Sequence, residues 1–322
     1  MMYNKRVIFV LAKVILLNFM YSRGGDRIFE KIIVSWGECV SSKFKIIFVM
    51  IIWGSIGVFA RNISISPILL AFSRAIIALP VVYFFIRRDK QNLFSFIKSK
   101  SAMPVMLSGM LIGLAWVVLF MAYRFTSVAN ATLVYNMCPI YVLILAPILL
   151  KEKLSSHQVL SVVIAFCGLI LIVATSLNIK EANLMGISFG AVSGMLYAII
   201  VLINRKFGTH IPIQSATFIQ LMMAAAILAP LVIFEGPIHQ WTSLDLHGIV
   251  MLLILGIVHT GLAYQMYFSS YTELSSTTVA LYSYLDPVFA IIFAVAILGE
   301  PFGIYQIIGG ALILGSTLIS NK

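Results

Sequence analysis

From Lys45 onward the chain alternates long apolar runs with short polar connections. That alternation predicts ten helices, at about residues 45–60, 67–86, 103–123, 128–150, 157–175, 184–203, 213–234, 248–268, 276–298 and 303–319. Each is close to the roughly 20 residues a helix needs to cross about 30 Å of hydrocarbon. Residues 1–43 break the pattern. Val7 to Met20 is apolar but interrupted by Lys13, shorter than a span needs, and followed by no small-residue cleavage site; neither a spanning helix nor a signal peptide is expected of it. This extension is read as disordered or as untranslated. Trp36-Gly37-Glu38 back-translates to codons that can contain a ribosome-binding sequence, with a GTG start at Val40. An intact mass of the endogenous protein matching all 322 residues would remove the second reading.

The apolar runs fall into two sets that repeat each other. Shifted by 148 residues, Phe120 falls on Phe268, Tyr123 on Tyr271, Ser127 on Ser275 and Leu133 on Leu281. Without a gap, Pro139 then falls on Pro287, Glu152 on Glu300 and Gln158 on Gln306. The chain is therefore an internal duplication. The expected units are the extension 1–43, a first five-helix repeat over 44–176 and a second over 183–320. An odd number of helices per repeat puts the two copies in opposite orientations, the inverted-repeat plan of secondary transporters.

Apolar residues make up 61% of the chain and charged residues 10%, against about half and roughly 25% in a soluble domain. The fold class expected is thus all-α integral membrane. A net charge of +11 would raise nucleic-acid binding if it were clustered, but the basic residues sit in the short connections. With the first helix starting in the cytoplasm, Lys43, Arg87, Arg88, Lys151, Lys153, Arg205 and Lys206 fall on the cytoplasmic side, and the other side receives Arg61, Arg124 and Lys180. That asymmetry predicts a multi-pass protein of the inner (cytoplasmic) membrane with both native termini in the cytoplasm. Cys39, Cys138 and Cys167 have neither disulfide nor metal spacing. No cofactor and no metal are expected.

The second half of each repeat resembles the EamA domain of the drug/metabolite transporter superfamily. Trp53-Gly54-Ser55, Arg74, the proline–glutamate–glutamine blocks quoted above, and Gly309-Gly310-Ala311 with Gly315 carry the likeness, which covers Lys45 to about Ile319. The resemblance implies a ten-helix fold around a central cavity, moving small metabolites, amino acids or drugs, mostly outward. The first copy departs from the second where Asn136-Met137-Cys138 stands for Tyr284-Leu285-Asp286.

Three ionisable residues fall inside the apolar runs: Arg74, His259 and Asp286. A charge at the bilayer centre costs at least about 2.5–3.5 kcal/mol, so each needs a partner or a wet cavity. Asp286 precedes Pro287, whose missing donor leaves nearby carbonyls free. That setting suits a cationic or amino group, or a proton; the alternative is a carboxylate that only pairs with Arg74. Arg74 can clamp a substrate carboxylate, snorkel to the interface, or pair with Asp286. If both face one cavity, they suit a zwitterion such as an amino acid. His259 is either a hydrogen-bonded core residue or a proton carrier.

Among the aromatic positions within spans, some of Trp53, Trp116, Tyr135, Tyr197, Tyr264, Tyr282 and Tyr284 should line the cavity, with Asn136 in the turn beside Tyr135. Pro139 and Pro287 are candidate hinges at matching depth. Glu152 and Glu300 are candidate gate or loop-anchoring residues at helix ends; the alternative is a simple solvated end. Gly186, Gly190 and Gly194, like Gly109 and Gly113, are small residues at helical spacing and predict close helix packing.

The expected function is secondary-active export of a small metabolite, amino acid or drug by alternating access, coupled to protons. The partners are a small-molecule substrate and the lipid bilayer, with no nucleic acid, and the protein acts as a monomer or homodimer. The alternatives are an uptake carrier of the same fold and a non-transporting scaffold or accessory subunit. An enzyme would need catalytic groups clustered at one membrane face, and the polar connections are too short and too poor in them.

Overall fold

The computed structural model describes residues 42–89, 91, 93, 102–150, 155–176, 181–207, 212–234, 239–270, 282–283 and 285–320. Among the described residues the chain is helical with no strand. In order these helices are α1 Ser42–Gly54, α2 Ile56–Asn62, α3 Pro67–Arg88, α4 Ala102–Phe125, α5 Val128–Tyr135, α6 Cys138–Leu150 and α7 Ser156–Ser176. They continue with α8 Glu181–Phe207, α9 Ile213–Phe234, the single turn α10 His239–Thr242, and α11 Leu246–Gly256. A π-turn, Ile257–Leu262, leads into α12 Ala263–Ser270, followed by α13 Leu285–Leu298 and α14 Ile304–Ser320.

Among the described residues seven segments are long and apolar enough to cross a membrane: 43–62, 67–88, 102–125, 128–149, 183–204, 213–234 and 246–267. Shorter apolar helices lie at 156–171, 285–298 and 304–316. Helices are the natural answer to such a sequence, because hydrocarbon offers no partner to an unpaired backbone group. Their starts are set by polar residues in the connections. Ser66 accepts from the Leu69 amide (3.1 Å) with Pro67 in the first turn, Ser127 from Asn130 (3.1 Å), and Asp245 from Gly248 (2.8 Å). Each takes up one of the donors a helix leaves orphaned at its start.

Three of the long segments are interrupted. At Ser55 the first breaks into α1 and α2; the Ser55 hydroxyl donates to the Ile52 carbonyl at 2.7 Å. At Asn136-Met137 the fourth breaks into α5 and α6. Asn136 Nδ2 donates to the Thr132 carbonyl (2.8 Å), and Pro139 has no N–H to return to Tyr135. The third interruption is the π-turn. The expected mid-helix prolines are thus placed differently from a simple kink. Pro139 is the second residue of α6 and Pro287 the third of α13, first-turn positions where a missing N–H costs little.

Glycines set the helix spacing. Gly186, Gly190 and Gly194 of α8 lie against the backbone of Thr126, Ala131 and Tyr135, where an added Cβ would come within 2.6, 3.1 and 2.7 Å. Gly109 and Gly113 of α4 press on Gln220 and Ala224 of α9. The small-residue stripes are packing surfaces. Outside this core, α7 pairs with α14, Gly168 lying against the Gly309 carbonyl. Both helices expose large apolar side chains such as Val163, Ile170, Ile304 and Ile307.

Candidate functional site

The interrupted helices converge. The break between α1 and α2, the break between α5 and α6, and the start of α13 border a cavity of about 460 Å³, which α3, α4, α8 and α12 complete. Arg74 of α3 and Asp286 of α13 both line it. Arg74 is 3% exposed. Its Nε donates to Thr260 Oγ1 in the π-turn, and its guanidinium carbon lies over the Trp116 ring, 4.2 Å from the centroid, a cation–π contact. Among the described residues, Arg74 and Asp286 form no ion pair with each other or with any other group. Arg74 is therefore neither snorkelling nor paired with Asp286: it is buried against Trp116 and Thr260, inside the bundle.

Aromatic rings make up much of the remaining wall. Tyr123, Tyr135, Tyr197 and Tyr264 line the cavity on Arg74's side. Trp53 packs on Tyr264 and Tyr267, with centroids 5.4 and 4.8 Å apart. Such rings present apolar faces and polar tips to an organic guest. Asn136, Pro139 and Cys138 line the cavity from the first copy, as Asp286 does from the second.

Not every expected residue reaches this space. His259 does not line the cavity. It lies behind Trp53, 2% exposed, with Nε2 at 2.8 Å from Ser55 Oγ, its ring against Phe59, and its carbonyl accepting from Trp53 Nε1 at 3.0 Å. Tyr282 is displaced too: its ring packs on the cluster of Ile46, Val49, Met50 and Ala263 beside α1 and α12. Pro287 is buried at the start of α13, off the lining. Tyr284 and Glu152 lie outside the described residues.

Glu300 sits at the other end of α13 from Asp286. Its two oxygens accept from the amides of Val128 (2.9 Å) and Ala129 (3.2 Å), the first turn of α5, and Arg61 Nη2 stands 3.5 Å away. A carboxylate on a helix N-terminus is favoured by the dipole and by the orphan amides. Arg61 also donates to the Thr126 carbonyl, Arg124 to Ile65, and the Thr126 hydroxyl to Asn183. These bonds tie α2, α4, α5, α8 and the turn after α13 together at the end of the bundle away from Met50, Tyr267 and Ser283 of the cavity.

Sequence reasoning missed Thr260, Tyr123 and Thr132, and left Trp116, Tyr197 and Tyr264 as generic aromatics. Tyr123 carried one signal, its match to Tyr271 across the repeat. Thr260 carried none: a threonine in an apolar helix is commonplace, and its contact with Arg74 joins positions 186 residues apart.

The sequence model of the EamA-like transporter family matches twice, over residues 42–174 and 184–322. A helical bundle with a cavity of this kind, bearing two copies of that domain, is a membrane transporter rather than an enzyme. The chain belongs to the EamA-like transporter family. Its relatives include the "Uncharacterized transporter YxxF" of Bacillus subtilis (strain 168), 27% identical over 86% of this chain and 88% of that protein. They also include a "Probable amino-acid metabolite efflux pump" of Salmonella typhimurium, 26% identical over 63% of this chain and 70% of that one. "Solute carrier family 35 member G1" of Mus musculus is 28% identical over 62% of this chain and 55% of its own length. One solved crystal structure shares the fold, with a TM-score of 0.60 at 18% identity, covering 85% of this chain and 94% of that one. The protein is multi-pass, and its partners are the bilayer and a small-molecule substrate.

Proposed function

We propose that this transporter exports a small organic zwitterion, of the size and kind of an amino acid or its metabolites, across the cytoplasmic membrane by alternating access driven by protons. The observation that carries the reading is the pair Arg74 and Asp286, two charged groups lining one aromatic-walled cavity without being bonded to each other. An unneutralised charge in a membrane interior is costly, and a guest bearing both a carboxylate and an ammonium group answers both. The name of the Salmonella relative, an amino-acid metabolite efflux pump, agrees with that class.

In this reading the two copies are inverted five-helix repeats, ten spans in all, with both native termini in the cytoplasm. The first turns of α6 and α13, with Pro139 and Pro287, act as hinges, and Glu300 with Arg61 closes the outer end. Asp286 alternates between a proton and the substrate's ammonium group. The cavity residues nearest the cytoplasmic end, Met50 and Tyr267, mark the side from which substrate enters.

The test compares spent medium from cells expressing the protein, its Asp286→Asn variant, or neither. A zwitterion enriched outside only with the intact protein supports the reading. Reconstituted protein should then move that compound faster under an imposed pH gradient; flux indifferent to the gradient would remove proton coupling.

A further inference from the structure

We propose that Thr260 is a positioning residue that aims Arg74 at an anionic group of the substrate, and that the π-turn exists to put it there. The inference rests on Arg74 being the site's anion clamp.

Helix α11 and the π-turn run along α3 at very short range. An added Cβ on Gly256 would come 2.5 Å from Ile77 Cβ, and one on Gly261 would come 2.7 Å from Val81 Cγ1. The two glycines are five residues apart, whereas their partners on α3 are four apart. In an uninterrupted α-helix, positions five apart point about 140° away from each other. The extra residue taken up by the π-turn lets both glycines face α3, so the close packing on either side fixes the turn in place.

The turn then does something an α-helix at this position would not. Two side chains reach back to carbonyls five residues earlier: Thr260 Oγ1 donates to Leu255 (3.0 Å), and His259 Nδ1 stands 3.3 Å from Ile254. With its own proton committed to Leu255, the Thr260 hydroxyl offers only lone pairs, and it takes the Nε–H of Arg74. A guanidinium can bind a carboxylate either through Nε and one Nη or through the two Nη groups. Thr260 occupies the Nε edge, and the guanidinium carbon lies over the Trp116 ring. What remains is the end formed by the two Nη groups, and among the described residues nothing bonds to it. π-Turns inside α-helices are found frequently at functional sites, and here the function is to select one edge of one arginine. The ligand that fits is a planar oxyanion, a carboxylate, approaching end-on.

The experiment needs no knowledge of the natural substrate. Purified full-length protein is treated with phenylglyoxal, which modifies accessible guanidinium groups, and the adduct on Arg74 is quantified by peptide mass spectrometry. Benzoate is the protecting anion and benzamide its neutral isostere. Benzoate, and not benzamide, should protect Arg74 in the native protein and in Thr260→Ser, which keeps the hydroxyl. In Thr260→Val the benzoate concentration for half protection should rise about tenfold, the scale of one charge-assisted hydrogen bond. Thr260→Ala replaces it if the valine variant is not monodisperse. An unchanged midpoint in the hydroxyl-free variant overturns the role of Thr260. Failure of benzoate to protect Arg74 in the native protein overturns the anion clamp itself, and this proposal with it.

Discussion

Cys138 and Asp286 occupy the same place in the two copies of the repeat, each one residue before a proline, and both line the same cavity. One is a neutral thiol, the other a carboxylate. Around Cys138 the chain closes its break locally, Asn136 donating back to Thr132. Around Asp286, among the described residues, no such bond ties the carboxylate down. The duplication places a proline in the first turn of a helix, α6 and α13, at the same position of each copy, and of the two residues before those prolines only one is ionised in the proposed reading. In the proposed cycle a symmetric frame would let two halves rock about a shared centre, and an asymmetric charge would give that motion a single site at which to load a proton or an ammonium group.

The most damaging change should therefore be the one that removes the asymmetry. Asp286→Asn keeps shape and volume and loses the charge. Substrate-dependent flux in proteoliposomes should fall by about a hundredfold or more, to the level of empty vesicles. The matching change in the other copy, Cys138→Ser, should leave flux within about twofold. Equal losses at the two positions would mean that the copies share the load.

Second in size is packing around the break in α1 and α2. An added Cβ on Gly54 would come 2.7 Å from Phe289 Cβ and 2.9 Å from the Ala290 amide. Gly54→Ala must push α1 away from α13, the helix that carries Asp286. Overpacking of this kind costs about 1–3 kcal/mol, and thermal unfolding in detergent should show it. Gly315→Ala, at a glycine with nothing within 4 Å, is the control and should leave the midpoint unmoved.

Third is the closed end of the bundle. Glu300→Gln leaves one oxygen where two accepted amides, and turns an amide donor toward the donors of Val128 and Ala129. Loss of such a cap costs about 0.5–2 kcal/mol. Arg61 is partly exposed, so Arg61→Ala should cost less, within about 1 kcal/mol. Faster hydrogen exchange at the start of α5 in Glu300→Gln, with the middle of α4 unaffected, would tie the loss to this contact.

How much of this was legible beforehand divides along the same line. The apolar runs, the membrane class, the transporter family and the glycine stripes could be read directly, because each depends on residues close together in the chain. Arg74 and Asp286 stood out because charge is rare in such runs. The surroundings of Arg74 did not: Trp116 and Thr260 come from other helices, and nothing local marks either as its partner. The π-turn was equally hidden, since Ile257–Leu262 contains no proline and the residues its glycines press on, Ile77 and Val81, lie far away in the chain on α3. His259 drew attention as an ionisable residue in an apolar helix, yet its ring meets Ser55, at the break of the first span, and it does not line the cavity.

The smallest effect tests the duplication most directly. In the first copy Gln158 Oε1 accepts from the Ser155 amide at 2.9 Å, and Ser155 Oγ accepts from the Gln158 amide at 3.3 Å, a reciprocal capping box at the start of α7. In the second copy Gln306 Oε1 accepts from the Gly303 amide at 3.1 Å, but Gly303 has no side chain with which to return the bond. The box before α14 is half built. Gly303 is not in the left-handed region, and the nearest atom to an added Cβ is Gln306 Oε1 at 2.9 Å, the far end of a side chain that can give way. Gly303→Ser should therefore complete the box and restrict the unfolded chain, for a gain of about 0.5–1 kcal/mol. Ser155→Gly should lose a few tenths of a kcal/mol, because it removes the same half from the other copy. If the two changes move thermal stability in opposite directions, as this comparison requires, the helices α7 and α14 begin by the same rule in both copies. A loss on Gly303→Ser would show that the turn after Glu300 needs its glycine for the latch to α5, and that at this end too the copies have diverged in function.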